Sequence, residues 1–375
     1  MTLPQGTFKV APQDFVVDEI PAYEPSGEGS HLYLHLRKTN RTTDQVVSDV
    51  ARALGVERRE IGVAGMKDKV GITSQWISVL ANKPDLDDRA RALQIEGVEV
   101  LEAKRHGNKL KTGHLHGNRF EIVVRGIDPA RLSEVTAAFD RIARDGVPNA
   151  FGFQRFGRDG DNVERARAWL TGKSRAPGDP KLRRLHFSAL QSAGFNAVLE
   201  QRVKDGTWTL PLLGDVLKKE ETGGIFVCTD VQLDRERAAS GEVCPTGPIV
   251  GDKMRQPEAD AFDLEQRILA PFIEGIDLHR ARTLGEGTRR PLRLRVSELL
   301  HTPSTTQLNG PDGDPRFVGQ SNITVRFVLP KGAYATTVLG SVFDLIEAGR
   351  ESRLTDSADH STAETSTESE RVEEQ

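Results

Sequence analysis

The chain has few of the residues that build disulfide frameworks, metal sites or membrane spans. Its 375 residues include only two cysteines, Cys228 and Cys244, which are too few for a disulfide-stabilised fold or a four-thiolate zinc site. No apolar run approaches the roughly 20 residues that a membrane-spanning helix needs. The N-terminal sequence MTLPQGTFKV also lacks the apolar core of a signal peptide. We therefore expect a cytoplasmic protein with no membrane partner.

Motifs for bound cofactors are missing as well. The sequence contains no GxxxxGK[ST] phosphate loop, no HExxH zinc motif, no GxSxG nucleophile elbow and no zinc-deaminase pairing of HxE with PCxxC. Gly27 and Gly29 do not fit the strand-to-helix turn that cradles a nucleotide cofactor. His106, His114 and His116 lie among basic residues, where a dication would need carboxylates that the segment lacks. We expect neither a metal nor a cofactor, so catalysis would have to use ordinary side chains.

The formal net charge of −4 disfavours a polyanionic partner, but the charge is unevenly distributed. Residues 351–375 carry eight acidic residues against two arginines. Without that segment the chain has 49 basic and 47 acidic residues, a balance of +2. The segment is rich in Ser, Thr and Glu and has almost nothing apolar to bury, so we predict a disordered acidic tail.

The spacing of apolar residues predicts a mixture of strands and helices. Residues 31–38 and 116–127 alternate as half-buried strands do, whereas 43–54 and 129–143 have helical periodicity. From about residue 146 the sequence changes to basic helices and shorter strands. Residues 322–346 then return to a strand, a Pro-Gly turn and a helix, which would let this strand rejoin the first sheet.

The best candidate for chemistry is the segment AGMKDKVGITSQWISV at residues 64–79. Asp68 stands there between Lys67 and Lys69, and nearby cations would hold its carboxylate ionised and ready for nucleophilic attack. A Lys-Asp-Lys triplet is equally compatible with an ordinary solvated loop, so the residues alone leave both interpretations open.

The same segment resembles the AGxKDxxxxTxQ signature of the tRNA pseudouridine synthase D (TruD) family. The matching positions are Ala64, Gly65, Lys67, Asp68, Thr73 and Gln75. Further similar blocks follow in family order: DFVVDEI at 14–20, SGEGSHLYL at 26–34, HGNRFEIVVR at 116–125, NAFGFQRFG at 149–157, FNAVLEQR at 195–202, GPIVGDKM at 247–254 and FVLPKGAYAT at 327–336. The resemblance thus covers nearly the whole chain. Two departures are NAFG, where the family usually has NYFG, and LGSVF, where it often has an Arg-Glu pair.

This resemblance implies an enzyme that isomerises a uridine in tRNA, at uridine 13 of the D arm, without a cofactor. It makes Asp68 the nucleophile and leaves open whether the carboxylate attacks the uracil ring or the ribose, or assists glycal formation. Lys9 and Lys67 compete as its ion-pair partner. The positions that match the family's base pocket are Phe15, Asn118, Phe120 and Tyr334. From the residues alone, Phe120 equally fits a core position in its strand, and Asn118 a turn.

The resemblance also implies an α+β fold, with a pseudouridine synthase core built on a mixed or antiparallel sheet. Residues 1–145 and 304–350 would form this core, interrupted by an inserted α/β TRUD domain at 146–303. Clustered basic residues in or beside the insertion would bind phosphates of the tRNA partner. They are Arg155, Arg158, Lys181, Arg183, Arg184, Arg289, Arg290, Arg293 and Arg295. No obligatory protein partner is implied.

Two alternative functions remain at this point. One is a catalytically silent RNA-binding or folding factor, which the basic clusters would serve equally well. The other is an RNA-modifying enzyme of different chemistry.

Overall fold

A computed structural model describes residues 2–81, 83, 85–157, 159–305 and 314–348. The described residues divide into two compact units. Unit 1 contains the residues up to 144 and those from 296 onward, and unit 2 contains residues 145–295. The predicted acidic tail lies outside the described residues.

The strands, in chain order, are β1 (Gln5–Phe8), β2 (Phe15–Pro21), β3 (His31–Thr39), β4 (Gly62–Val63), β5 (Ile72–Leu80), β6 (Val98–His106), β7 (Leu115–Ile127), β8 (Val147–Pro148), β9 (Val216–Lys219), β10 (Ile225–Val227), β11 (Val243–Ile249), β12 (Thr288–Pro291), β13 (Arg293–Leu294), β14 (Ser297–Thr305), β15 (Ser321–Pro330) and β16 (Asp344–Glu347). The helices are α1 (Thr43–Leu54), α2 (Leu86–Arg91), α3 (Leu132–Asp145), α4 (Asn162–Leu170), α5 (Pro180–Lys204), α6 (Val231–Ser240), α7 (Ala259–Ile273), α8 (Leu278–Ala281) and α9 (Ala335–Leu339). Short 3-10 turns lie at Pro12–Asp14, Arg58–Glu60, Pro129–Arg131, Phe153–Phe156 and Pro315–Phe317.

Unit 1 is built on one mixed sheet, whose main path runs β14-β15-β7-β2-β5-β3-β6. The β2–β5 and β1–β16 pairs are parallel, and the other pairs along the main path are antiparallel. Strand β15 pairs with β7 over most of its length, so the chain returns to the first sheet as predicted. The α+β class with a mixed sheet is confirmed.

Helix α1 shows why the local sequence folds as it does. Thr42 and Gln45 form a capping box at its start, and Gly55 ends it in the left-handed conformation. The apolar face around Val46 and Val50 packs on the strand residues that include Leu34, all within one buried cluster. This packing fixes α1 against β3, next to the segment that contains Asp68.

Register places the candidate residues of unit 1 on one face of the sheet. Directly paired strand residues point to the same side, and successive residues alternate. Val17 pairs with both Phe120 and Thr73, and Glu19 pairs with Asn118. Continuing these pairings across β3 and β5 gives the set that shares this face: Phe15, Glu19, Lys38, Thr73, Gln75, Asn118 and Phe120.

Unit 2 contains a four-stranded antiparallel sheet in the order β10-β9-β11-β12, and helix α5 packs against β11. Where the chain enters and leaves this unit, β8 and β13 pair with each other. Strand β14 pairs with β15 of unit 1. The structure divides the units between Arg295 and Val296, because the following strand, β14, belongs to the first sheet.

The described helices include none with the length and apolar character needed to cross a bilayer.

Candidate active site

Asp68 lies in the loop that joins β4 to β5. Its side chain is 53% exposed, and its Oδ1 atom lies 3.7 Å from Nζ of Lys9. Among the described residues, no other side-chain cation lies within 4.0 Å of this carboxylate. The arrangement is a carboxylate open to solvent on one side and ion-paired on the other, which suits a group that must reach a substrate.

Lys9 is held in place on several sides. Its backbone is in the left-handed conformation, with φ of 59°. Its Nζ donates a hydrogen bond to Glu347 at 2.9 Å and lies 4.5 Å from the centroid of the Phe15 ring, and its side chain is only 8% exposed. Lys9 thus carries a nearly buried ammonium group between two carboxylates and against an aromatic face, which favours a fixed orientation.

Lys67 has a different partner. Its Nζ lies 2.6 Å from Oε2 of Glu19, and the two side chains are 5% and 0% exposed. The other oxygen of Glu19 accepts a hydrogen bond from the main-chain nitrogen of Trp76. Of the two lysines that compete for Asp68 in the sequence, the structure places Lys9 at the carboxylate and Lys67 in a buried pair on the sheet face.

The loop that carries Asp68 is held at one end by Thr43 of α1 and at the other by the close approach of Gly71 to Phe15. The main-chain nitrogen of Lys67 donates to Oγ1 of Thr43, which donates to Oε1 of Gln75. At the other end, Gly71 has φ of +116°, and a Cβ there would overlap the carbonyl oxygen of Phe15. Only glycine fits this close approach, which explains Gly71. Gln75 is explained by its hydrogen bond with Thr43.

Three phenylalanines lie side by side on the sheet face that carries Asn118. Phe120 meets Phe15 edge-on, with ring centroids 6.4 Å apart, and stacks on Phe327 at 5.3 Å. All three are buried, Phe120 with 5% of its surface exposed. Phe120 is therefore packed as a core residue is, within the face that also carries Lys38 and Asn118.

Asn118 is half-buried, and its Oδ1 atom is buried with no hydrogen-bond partner among the described residues. A buried acceptor without a partner costs free energy, which a ligand that donates a hydrogen bond would recover. Its strand partner on β15 is Leu329. Tyr334 follows that strand end, is 66% exposed, and makes no ring contact or side-chain hydrogen bond with Asp68 or Asn118 within the described ranges.

The predicted RNA-binding arginines of unit 2 differ in their surroundings. Arg155 is exposed, donates to Oγ of Ser192 and lies 5.6 Å from the Phe151 ring. Arg183 is half-buried and Arg184 exposed near the start of α5. Arg158 lies outside the described residues.

Two further arginines from the same basic clusters are buried. Arg289 forms a bidentate pair with Glu265, in which the side chains are 1% and 4% exposed. Arg293 is 7% exposed and donates to main-chain carbonyls. The expectation that these two side chains bind phosphates is wrong, because their donors are directed into the protein.

The described residues contain no group of three His, Cys, Asp or Glu side chains arranged to hold a metal ion.

Comparison with known proteins identifies the family. A sequence profile described as tRNA pseudouridine synthase D (TruD) matches residues 4–174 and 173–342. The chain belongs to this family. It is 44% identical to the tRNA pseudouridine synthase D of Anaeromyxobacter sp. (strain Fw109-5) over 92% of this chain and 94% of that protein. An enzyme of the same name from Thermus thermophilus is 39% identical over 90% and 88% of the two chains.

The fold is shared with a solved structure. The crystal structure of the putative tRNA pseudouridine synthase D from Methanosarcina mazei superimposes with a TM-score of 0.74, at 23% identity, over 92% of this chain and 95% of that one. This likeness supports the α+β TruD fold.

Several residues of the site were not found from the sequence. Glu19 and Glu347 hold the two lysines, and Lys38, Asn40 and Thr43 contact the Asp68 loop. A signal existed for Lys38, because it continues the alternation of the apolar residues of HLYLHLRK and so falls on the buried side of the strand. Glu19 has the same phase as Phe15. No local pattern marks Glu347, which reaches Lys9 only through the pairing of β16 with β1.

Proposed function

We propose that this chain converts uridine to pseudouridine in tRNA, at uridine 13 of the D arm, and that Asp68 is the nucleophile. Family membership supports the reaction and the substrate class. The observation that carries the residue assignment is the Lys9–Asp68 pair, which presents a solvent-open carboxylate beside the face of the sheet that carries Phe15 and Asn118.

The reaction rearranges bonds without changing the composition of the RNA. The bond between N1 of uracil and C1′ of ribose breaks, the base turns, and C5 bonds to C1′. The hydrogen on C5 leaves as a proton, and N1 takes up a proton from solvent. Asp68 attacks the uracil ring or the ribose, or assists glycal formation. Lys9 is fixed on the other side of the carboxylate and orients it through the ion pair.

The target base has to leave its stack to reach Asp68. Asn118 can accept a hydrogen bond from the imide N3–H of uracil, which would satisfy its unpartnered Oδ1 atom. Phe15 and Phe120 form an apolar layer on the same face, and Tyr334 is exposed where it can supply an aromatic surface. We further propose that unit 2 is an RNA-binding insertion in which Arg155, Arg183 and Arg184 contact phosphates, and that Arg158 joins them.

Substitution of the nucleophile tests the proposal. Asp68→Ala and the isosteric Asp68→Asn should each reduce turnover by on the order of 10³-fold or more. Asp140→Ala is the matched control, since it removes an exposed carboxylate that pairs with His301 in the same unit. The assay is release of tritium from tRNA labelled at C5 of uridine, because C5 loses its hydrogen when the new bond forms.

The affinity for tRNA, measured by filter binding, should change by less than about threefold in Asp68→Ala. An Asp68→Ala protein that turns over tRNA at the rate of the Asp140→Ala control would refute the assignment of Asp68.

A further inference from the structure

Lys38 is a buried lysine beneath the Asp68 loop. It is the next-to-last residue of β3 and lies on the same side of that strand as Leu34 and Leu36, which pack under α1. Only 1% of Lys38 is exposed. Lysine is rarely buried to this extent unless it is paired with a carboxylate.

Lys38 binds main-chain oxygens and no carboxylate. Its Nζ donates to the carbonyl oxygen of Asp68 at 2.5 Å and to that of Arg41 at 2.6 Å. Within the described part of the chain, no carboxylate oxygen lies within 4.0 Å of this Nζ. Burial lowers the pKa of Lys38 to about 8; the nearby charge of Asp68 opposes this shift, and that of Lys67 adds to it. The protein therefore buries an amine at a position where burial disfavours its charged form.

The rest of the loop is anchored without Lys38. Gly71 and Asn40 exchange hydrogen bonds of 3.0 and 3.1 Å, and the main-chain nitrogen of Lys67 donates to Thr43 at 3.0 Å. These contacts fix the loop on either side of the candidate nucleophile. The hydrogen bond to the main chain of Asp68 comes from Lys38, whose ammonium can serve two carbonyl oxygens at once.

We infer that Lys38 is a positioning residue of the reaction, which holds the main-chain carbonyl of Asp68 and so sets the direction in which its carboxylate leaves the loop. The inference rests on the proposed role of Asp68 as the nucleophile. The peptide plane at Asp68 fixes the orientation of its Cα–Cβ bond, and the Lys9 pair then fixes the carboxylate. Displacing a reacting group by about 1 Å lowers the reaction rate on the order of 10²-fold.

The test compares the chemical step with substrate affinity. Lys38→Met keeps an unbranched apolar stem and removes the donors. The single-turnover rate, measured by tritium release with enzyme in excess, should fall by about 30- to 100-fold. The dissociation constant for tRNA should stay within about threefold of the wild-type value, because Lys38 is buried and cannot touch the RNA.

Leu34→Ala is the control for a purely structural effect. It removes a buried side chain from the same face of the same strand, away from the loop. Rates are compared per folded protein at a temperature where both variants are native by circular dichroism. Hydrogen exchange at the amides of residues 67–71 should accelerate in Lys38→Met and not in Leu34→Ala.

A second variant covers the case in which Lys38→Met does not fold. Lys38→Gln is neutral, so it buries no charge, and its shorter side chain cannot hold both carbonyl oxygens. The same loss of rate at unchanged affinity is expected. A wild-type single-turnover rate in either folded variant overturns the inference, as does an equal loss of rate in Leu34→Ala.

Failure of the proposed function would look different. If Asp68→Ala keeps its activity, the nucleophile is wrong whatever the Lys38 variants show. If Asp68→Ala is inactive while the Lys38 variants are as fast as wild type, only the role of Lys38 is refuted.

Discussion

Removing Lys67 should destabilise unit 1 because it leaves a buried carboxylate without its partner. In the native protein the Lys67 ammonium lies 2.6 Å from Glu19, whose side chain has no exposed surface. Lys67→Met replaces the ammonium by an apolar group of similar length. Among the described residues, the hydrogen bond from the main-chain nitrogen of Trp76 is then the one polar contact left to the Glu19 carboxylate.

The expected loss in the free energy of unfolding is about 3–5 kcal/mol, which is typical of breaking a buried pair on one side. Glu19→Gln retains an acceptor for Trp76 and removes the charge. The double variant Lys67→Met/Glu19→Gln should therefore recover about 2 kcal/mol or more relative to the sum of the single changes. Arg119→Met is a matched control, because its pair with Glu298 is 53% and 62% exposed and should contribute less than about 1 kcal/mol.

Urea denaturation followed by tryptophan fluorescence measures these values. Since Trp169 and Trp208 lie in unit 2, a background with both changed to Phe reports unit 1 through Trp76 alone. A Lys67→Met protein that loses no more stability than Arg119→Met would show that the pair is unimportant. Strictly additive single changes would contradict the coupling.

Three further changes have expected outcomes. Lys9→Met removes the ammonium next to Asp68 and should lower turnover by on the order of 10²-fold at unchanged tRNA affinity, measured by tritium release; an unaltered rate would contradict the role of Lys9. Gly71→Ala places a Cβ against the carbonyl oxygen of Phe15 at a positive φ and should cost about 3 kcal/mol by thermal unfolding, whereas an unshifted melting temperature would contradict the close approach. Burial lowers the pKa of Lys38 to about 8, from 10.5 in the unfolded chain. At pH values between these two pKa values, the unfolded state therefore binds more protons than the folded state. Stability relative to Lys38→Met should then rise by roughly 2 kcal/mol from about pH 7.5 to 9.5, and a pH-independent difference would contradict the shift.

The parts of the fold that follow short-range patterns were predictable from the sequence. Helix α1 covers residues 43–54 as predicted, because its capping box, apolar face and terminal glycine lie within one segment. Strands β3 and β7 agree with the predicted strands to within one residue, since their alternation is strong. The segment 322–346 is only partly as predicted, because its helix is limited to Ala335–Leu339 and the chain then forms β16.

The partners within the site depend on contacts between distant segments. At the level of sequence, Lys9 and Lys67 were competing candidates for the ion pair with Asp68. The folded chain separates them, because Lys67 pairs with Glu19 of β2 and Lys9 lies at Asp68. Glu347 lies 338 residues from Lys9, so no local pattern joins them. The buried Arg289 shows the same limit, since a run of arginines in the sequence does not reveal which of them meets a buried carboxylate.

The most direct test of the proposed function is the fate of uridine 13 in an unmodified tRNA transcript. Incubation with the wild-type chain should leave the mass of the tRNA unchanged. Subsequent carbodiimide treatment and primer extension should produce the stop that marks pseudouridine at position 13, one nucleotide to its 3′ side. Asp68→Ala should produce no stop. A gain in mass, or a carbodiimide stop only at other positions, would contradict the account.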